Sequence, residues 1–87
     1  MNTFHYSIRF EGLNEKFHGQ FMLYSKTFTQ QEVIDRAIFE IKKKCKSYFY
    51  IKYERLIGIE IYYYPPEAKG EEVMIFEKEK NKQNENN

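Results

Sequence analysis

Residues 29–45 read TQQEVIDRAIFEIKKKC, and they are the most informative residues about the fold because they contain a well-marked helix start. Thr29 and Glu32 have the spacing of a capping box, in which the threonine hydroxyl caps a free backbone N–H and the glutamate binds the threonine's own N–H. The spacing predicts an amphipathic helix from Gln30 to about Ser47. Its apolar stripe, which we expect to face the core, consists of Ile34, Ala37, Ile38, Ile41 and Cys45.

The segment before the helix predicts a β-hairpin. Residues Thr3–Glu11 alternate apolar and polar side chains, and Phe17–Ser25 resume the alternation after the polar turn Gly12–Lys16. Both apolar sets share one face only if the numbers of facing residues sum to an odd value. Sums of 27 and 29 both satisfy this condition. The sum of 29 would pair Phe10 with Gly19, and on the opposite face it would put Glu11 beside His18 and His5 beside Tyr24.

The segment after the helix predicts a second hairpin. Tyr48–Tyr53 has the residue types of a strand, although the helical spacing also continues through it and Gly58 would then cap a longer helix. Ile57–Tyr64 and Val73–Lys78 are predicted strands, and the pattern leaves open which face of the latter is buried. Residues 1–80 are expected to form one domain, and the polar run 81–87 a disordered tail.

The element order β-β-α-β-β predicts a two-layer α+β sandwich. In this architecture an antiparallel sheet of about four strands has one helix packed on one face, and the other face is open. The chain of 87 residues is long enough for one small core, and 18% of its residues are aromatic. A single cysteine and the lack of a long apolar run or a signal-peptide pattern favour a soluble, cytoplasmic protein with no membrane contact.

The sequence contains none of the common catalytic or metal-binding motifs. CxxC, HExxH, GxGxxG, GxxxxGK[ST] and GxSxG are all absent. His5, His18 and Glu11 make an incomplete and unspecific metal or acid–base site, and we interpret them as ordinary surface side chains. Cys45 is interpreted as a buried small hydrophobic residue. We therefore expect no enzymatic activity, no cofactor, no metal and no small-molecule substrate.

Two surfaces remain as candidate binding sites. The first is the open sheet face, where strand alternation directs Tyr62 and Tyr64 outward while Tyr63 points inward with Ile59 and Ile61. Exposed aromatic and methionine side chains rimmed by polar groups are typical of interfaces. The predicted protein-interface residues are Tyr24, Tyr62, Tyr64, Met22, His18 and Arg9.

The second surface is the segment 41–55, which carries six basic residues and one acidic residue. Cationic side chains interleaved with aromatic rings suit a nucleic-acid site that follows the phosphate backbone and stacks bases. The alternative set of nucleic-acid-binding residues is Lys42, Lys43, Lys44, Lys46, Lys52, Arg55, Tyr50 and Tyr53.

The sequence as a whole predicts a small, non-catalytic intracellular interaction domain. Its expected partner is a protein, bound through the open sheet face or a strand edge, and an accessory or inhibitory factor of a phage or mobile element fits this description. Nucleic-acid binding through residues 41–55 is the first alternative. Homodimerisation through the open sheet face is the second.

Overall fold

A computed structural model describes residues 1–66 and 70–80 of the chain. In these residues the strands are β1 (Asn2–Phe10), β2 (Phe17–Leu23), β3 (Leu56–Tyr64) and β4 (Val73–Glu79), and the α-helix is α1 (Gln30–Lys44). The strands form one antiparallel sheet in the order β2-β1-β3-β4. The predicted α+β sandwich is confirmed.

The core lies between α1 and one face of the sheet. Strand β1 is central, and its inward side chains Phe4, Tyr6, Ile8 and Phe10 are at most 1% exposed. The alternation of apolar and polar residues in β1 therefore corresponds to two real faces. The rest of the buried apolar core comes from β2, β3 and the helical segment, as Phe21, Ile59, Ile61, Val33, Ala37, Ile41 and Cys45.

The predicted capping box is present at the start of α1. The Glu32 backbone N–H donates to Thr29 Oγ1 at 3.1 Å, and the Thr29 backbone N–H donates to Glu32 Oε1 at 2.7 Å. Thr29 itself has extended backbone angles, as an N-cap residue should. Two backbone donors at the helix start are thereby satisfied locally.

The end of the helix answers the choice between strand and helix that the sequence left open for residues 48–53. After Lys44 the chain continues through a π-helical turn, Cys45–Phe49, and stops at Tyr50, whose φ of 57° is left-handed. A short 3₁₀ helix, Tyr53–Arg55, then leads into β3, and Gly58 lies within that strand instead of capping a helix. Residues 48 and 49 continue the helical winding, where Phe49 packs on the core aromatics Phe10 and Phe17, and no strand forms over 48–53.

The first hairpin keeps the predicted odd parity but has neither of the predicted registers. Facing residues sum to 25, as in the pair Tyr6 and Gly19, so the pairings expected from sums of 27 and 29 are wrong. The ring of Tyr6 occupies the space above Gly19, where a Cβ atom would overlap the ring carbon Cζ and the hydroxyl oxygen of Tyr6. Glycine is therefore the residue that fits opposite Tyr6.

The turn of this hairpin is anchored by Arg55. The Glu11 backbone N–H donates to the Arg55 carbonyl at 2.8 Å, and Arg55 Nη2 donates to the Glu11 carbonyl at 2.6 Å. These bonds hold the chain after β1 against the segment before β3. Glu11 consequently does not stand opposite His18, as the register with a sum of 29 required; Ser7 does.

The second hairpin resolves which residues of β4 face the core. Ile61 faces Phe76 but Tyr62 faces Met74, so the register shifts by one residue at Ile75. Because of this shift, the consecutive residues Ile75 and Phe76 are both half-buried against the core, whereas Val73 and Met74 are exposed. The predicted tail, residues 81–87, and part of the loop before β4 lie outside the described residues.

Candidate interaction surface on the open sheet face

The sheet face opposite α1 carries a row of stacked rings. The His5 ring lies at the centre, with centroid distances of 5.5 Å to His18, 5.9 Å to Tyr62 and 6.3 Å to Tyr64, and with interplanar angles of 26–28°. Because these residues belong to β2, β1 and β3, the row crosses three adjacent strands. Stacked rings of this kind form a broad and rigid surface.

Two methionines flank the row. Met22 on β2 is 42% exposed, and Met74 on β4, which faces Tyr62, is 44% exposed. Methionine is flexible and polarisable, so it adapts to the shape of an opposing surface. We call the surface formed by these side chains the ring patch; its members are His5, His18, Met22, Tyr62, Tyr64 and Met74.

Carboxylates hold the polar ends of the rings. His5 Nδ1 lies 3.2 Å from Glu72 Oε2, and the Tyr62 hydroxyl donates to Glu60 Oε1 at 3.1 Å. Partial burial, followed by the hydrogen bond to Glu60, raises the pKa of Tyr62. The hydrogen bond to Glu72 raises the pKa of Tyr64. Both phenols therefore stay protonated and neutral at physiological pH.

The remaining part of the open face is charged. Arg9 pairs with Glu79, and Lys16 Nζ lies 3.6 Å from Glu60 Oε1. Glu77 faces Glu60 across β3 and β4 and adds another carboxylate. The ring patch is therefore bordered mainly by acidic groups, whose charge is only partly balanced by these two cations.

The six residues predicted for the protein interface do not all come together. Tyr62, Tyr64, Met22 and His18 lie in the ring patch. Arg9 lies in the charged part of the face, where it pairs with Glu79. Tyr24 lies just past the end of β2 and is 76% exposed.

The six predicted interface residues lack three contributors to this surface: His5, which was interpreted as an ordinary surface side chain, Met74 and Glu72. Met74 joins it because the register of β3 and β4 shifts at Ile75, and no pattern in the sequence marks that shift. Glu72 reaches His5 from a position 67 residues away along the chain. The stacking of His5 on His18 follows from the register with a sum of 25, in which the two residues are diagonal neighbours.

The basic segment 41–55 is divided between different surroundings. The Nζ atoms of Lys42, Lys43 and Lys44 lie 5.0–5.3 Å from ring centroids, over Tyr53, Phe39 and Tyr48 respectively. Arg55 is engaged with the Glu11 carbonyl. Lys46, Tyr50 and Lys52 line a groove together with Lys42 and Tyr53. Five of the eight predicted residues thus share one site.

Cys45 is 5% exposed, and burial, with a smaller effect of Glu54, raises the pKa of its thiol, in agreement with the interpretation as a buried hydrophobic residue. Within residues 1–66 and 70–80, no group of three or more His, Cys, Asp or Glu side chains is arranged to hold a metal ion. The same part of the chain contains no helix with the length and apolarity needed to cross a membrane.

Comparisons with protein-family models, with curated proteins and with solved structures found no match to this chain.

Proposed function

We propose that this protein is a non-catalytic binding domain that docks a partner protein on the ring patch of its open sheet face. The observation that carries the proposal is the ring row itself: three strands present His18, His5, Tyr62 and Tyr64 as one stacked surface, flanked by two exposed methionines. Aromatic and methionine side chains are enriched in interfaces, and the aromatic ones bury much area at a small loss of conformational entropy.

The charges around the patch define the chemistry of the partner. Glu60, Glu72 and Glu77 surround the rings on the β3–β4 side, and Lys16 and Arg9 are already paired with carboxylates. A partner surface with an apolar centre and a basic rim complements this arrangement. Nucleic acid is disfavoured at this face because its phosphates would approach carboxylates.

The contacts within the face support binding over catalysis. The Tyr62 hydroxyl is engaged by Glu60, His5 by Glu72 and Arg9 by Glu79. These contacts restrain the side chains and keep the rings in fixed positions. A preorganised surface loses little entropy when a partner docks.

The proposal is tested first by position-specific crosslinking. A photoreactive residue replaces Met22 on the ring patch, and in a matched protein it replaces Arg36 on α1, away from the sheet face. Both proteins are irradiated in extract of the cells that express the chain. We expect a defined adduct from position 22 that position 36 does not form, and its partner is then identified and purified.

The decisive measurement is the affinity of that purified partner. The Tyr62→Ser/Tyr64→Ser variant should bind at least about tenfold more weakly, since large aromatic anchors dominate interface energies. Phe39→Ser/Tyr48→Ser, which removes two exposed rings from the helical segment away from the sheet face, serves as the control. Unchanged affinity in the Tyr62/Tyr64 variant would refute the ring patch as the docking site.

Sedimentation velocity distinguishes a second copy of the chain from a different partner. A homodimer through the open face would dissociate in the Tyr62→Ser/Tyr64→Ser variant and persist in the control. That result would identify a second copy of the chain as the partner and would contradict the proposed partner with a basic rim.

A further inference from the structure

A second concave surface lies at the end of the helical segment, away from the open sheet face. It is a groove of about 900 Å³ between the last turns of the helix and the chain that leads into β3. Lys42, Lys46 and Lys52 line it, together with Tyr50, Tyr53 and one acidic residue, Glu54. We call this surface the basic groove.

The charge balance of the basic groove favours an anionic ligand. Three lysines face one glutamate, and the carbonyl end of the helix adds a partial negative charge of about half a unit. The lysines outweigh both negative contributions. Lys42 is also held in place, since its Nζ lies 5.0 Å from the centroid of the Tyr53 ring. A cation that is already ordered loses less entropy when it meets a phosphate.

Tyr50 gives the groove an exposed ring. The left-handed backbone at Tyr50 ends the helix, and its side chain is 80% exposed. A non-glycine residue in this conformation is uncommon and costs about 1 kcal/mol or more, so its presence at the groove calls for a reason. An exposed ring flanked by lysines offers a face on which a nucleobase can stack.

We propose that the basic groove binds single-stranded nucleic acid, with a base stacked on Tyr50 and the backbone phosphates held by Lys42, Lys46 and Lys52. A single strand is required because stacking on a protein ring needs an unstacked base. Binding is insensitive to sequence, since Arg55, which alone in segment 41–55 has a guanidinium fork for reading base edges, is engaged with Glu11. This proposal is independent of the partner proposed for the ring patch.

The test uses a fluorescein-labelled oligodeoxyuridylate and an oligouridylate, which differ only in the sugar 2′-hydroxyl, each of about 12 nucleotides, in anisotropy titrations from about 50 to 200 mM salt. The Lys42→Gln/Lys46→Gln/Lys52→Gln variant should lose at least about tenfold in affinity and flatten the salt slope by about 2, from roughly 0.7 per lost phosphate contact. Its control is Lys16→Gln/Lys26→Gln/Lys78→Gln, which removes the same charge outside the groove.

The stacking ring is tested separately with Tyr50→Asn. Asparagine tolerates the left-handed backbone, so this variant removes the ring and preserves the helix end. We expect a loss of at least about fivefold in affinity, in the range found for single stacked bases. Thermal melts of all variants verify that each remains folded.

Several outcomes would overturn the proposal. They are no binding by the parent at about 50 mM salt, equal losses in the two lysine variants, parental affinity in Tyr50→Asn, and competition by duplex DNA as strong as by a single strand. Unequal affinity for the two oligonucleotides identifies the preferred chemistry, deoxyribose or ribose. The Tyr62→Ser/Tyr64→Ser variant should bind the oligonucleotides like the parent, so a failure of the proposal for one surface leaves the other intact.

Discussion

At the scale of single residues, the contact between Tyr6 and Gly19 governs the pairing of β1 with β2. A Cβ atom at position 19 would overlap the Tyr6 ring, which is itself buried in the core. We expect Gly19→Ala to lower the free energy of unfolding by about 1–3 kcal/mol, the usual cost of overpacking, in a urea titration. Gly58→Ala is the control, since its Cβ would meet the flexible end of Glu79 at 3.3 Å. Equal stability of the two variants would contradict this contact.

The same tyrosine predicts how stability depends on pH. Burial, and then the negative charges of Glu40 and Cys45, raise the pKa of Tyr6 to about 12. An unfolded tyrosine ionises near pH 10, so between roughly pH 10 and 12 the unfolded state loses the proton while the folded state keeps it, and stability falls. Because Tyr6→Phe lacks this phenol, its free energy of unfolding should fall by roughly 2 kcal/mol less than that of the parent across this pH window. Denaturant titrations at several pH values measure the difference. Parallel pH profiles of the two proteins would show that Tyr6 is not the group responsible.

At the scale of elements, the start of α1 depends on its capping box. Thr29→Ala removes the acceptor for the Glu32 N–H and should lower the free energy of unfolding by about 1 kcal/mol. Glu32→Gln keeps a side chain that can close the box and should have a smaller effect. Thr27→Ala, an exposed threonine before the helix, is the control. If Thr29→Ala and Thr27→Ala unfold at the same urea concentration, the cap contributes no stability.

The end of the helical segment depends on the left-handed residue Tyr50. Glycine adopts this conformation without steric cost, whereas a β-branched residue strongly disfavours it. We therefore expect Tyr50→Gly to raise the free energy of unfolding by about 0.5–1 kcal/mol and Tyr50→Val to lower it by a similar amount. Thermal melts of the two variants measure the difference. The reverse order would mean that the helix does not end at Tyr50.

At the scale of the whole molecule, sequence patterns predicted the structural features that depend on local periodicity. The capping box located the helix start, and alternation identified the inward residues of β1 and of Ile59–Tyr63. The choice between helix and strand for residues 48–53 stayed open because these residues have strand propensity, whereas burial of Phe49 against Phe10 and Phe17 depends on distant residues. Tertiary packing overrides local propensity in such cases.

The strand registers and the membership of the ring patch were harder to predict, because they too depend on contacts between distant residues. The parity rule limited β1 and β2 to odd sums, but the choice of 25 depends on the fit of Tyr6 over Gly19. Alternation identified four members of the ring patch among the predicted interface residues. Met74 and the acidic partner Glu72 required the shifted register of β4 and a contact that spans nearly the whole chain.

The strand order makes a prediction about the molecule as a unit. Strand β1 precedes the helix in the sequence and β3 follows it, and these two strands pair at the centre of the sheet. The two hairpins therefore form one sheet together. We expect amides of β1 and β3 to exchange with deuterium only through global unfolding, whereas alternate amides of the outer strands β2 and β4 exchange faster by local opening. Exchange followed by NMR at residue resolution measures this ranking. If the protein sediments as a monomer and β4 is protected as strongly as β1, the order β2-β1-β3-β4 is contradicted. If the protein is a dimer, the same protection would identify β4 as an edge strand covered by the second copy.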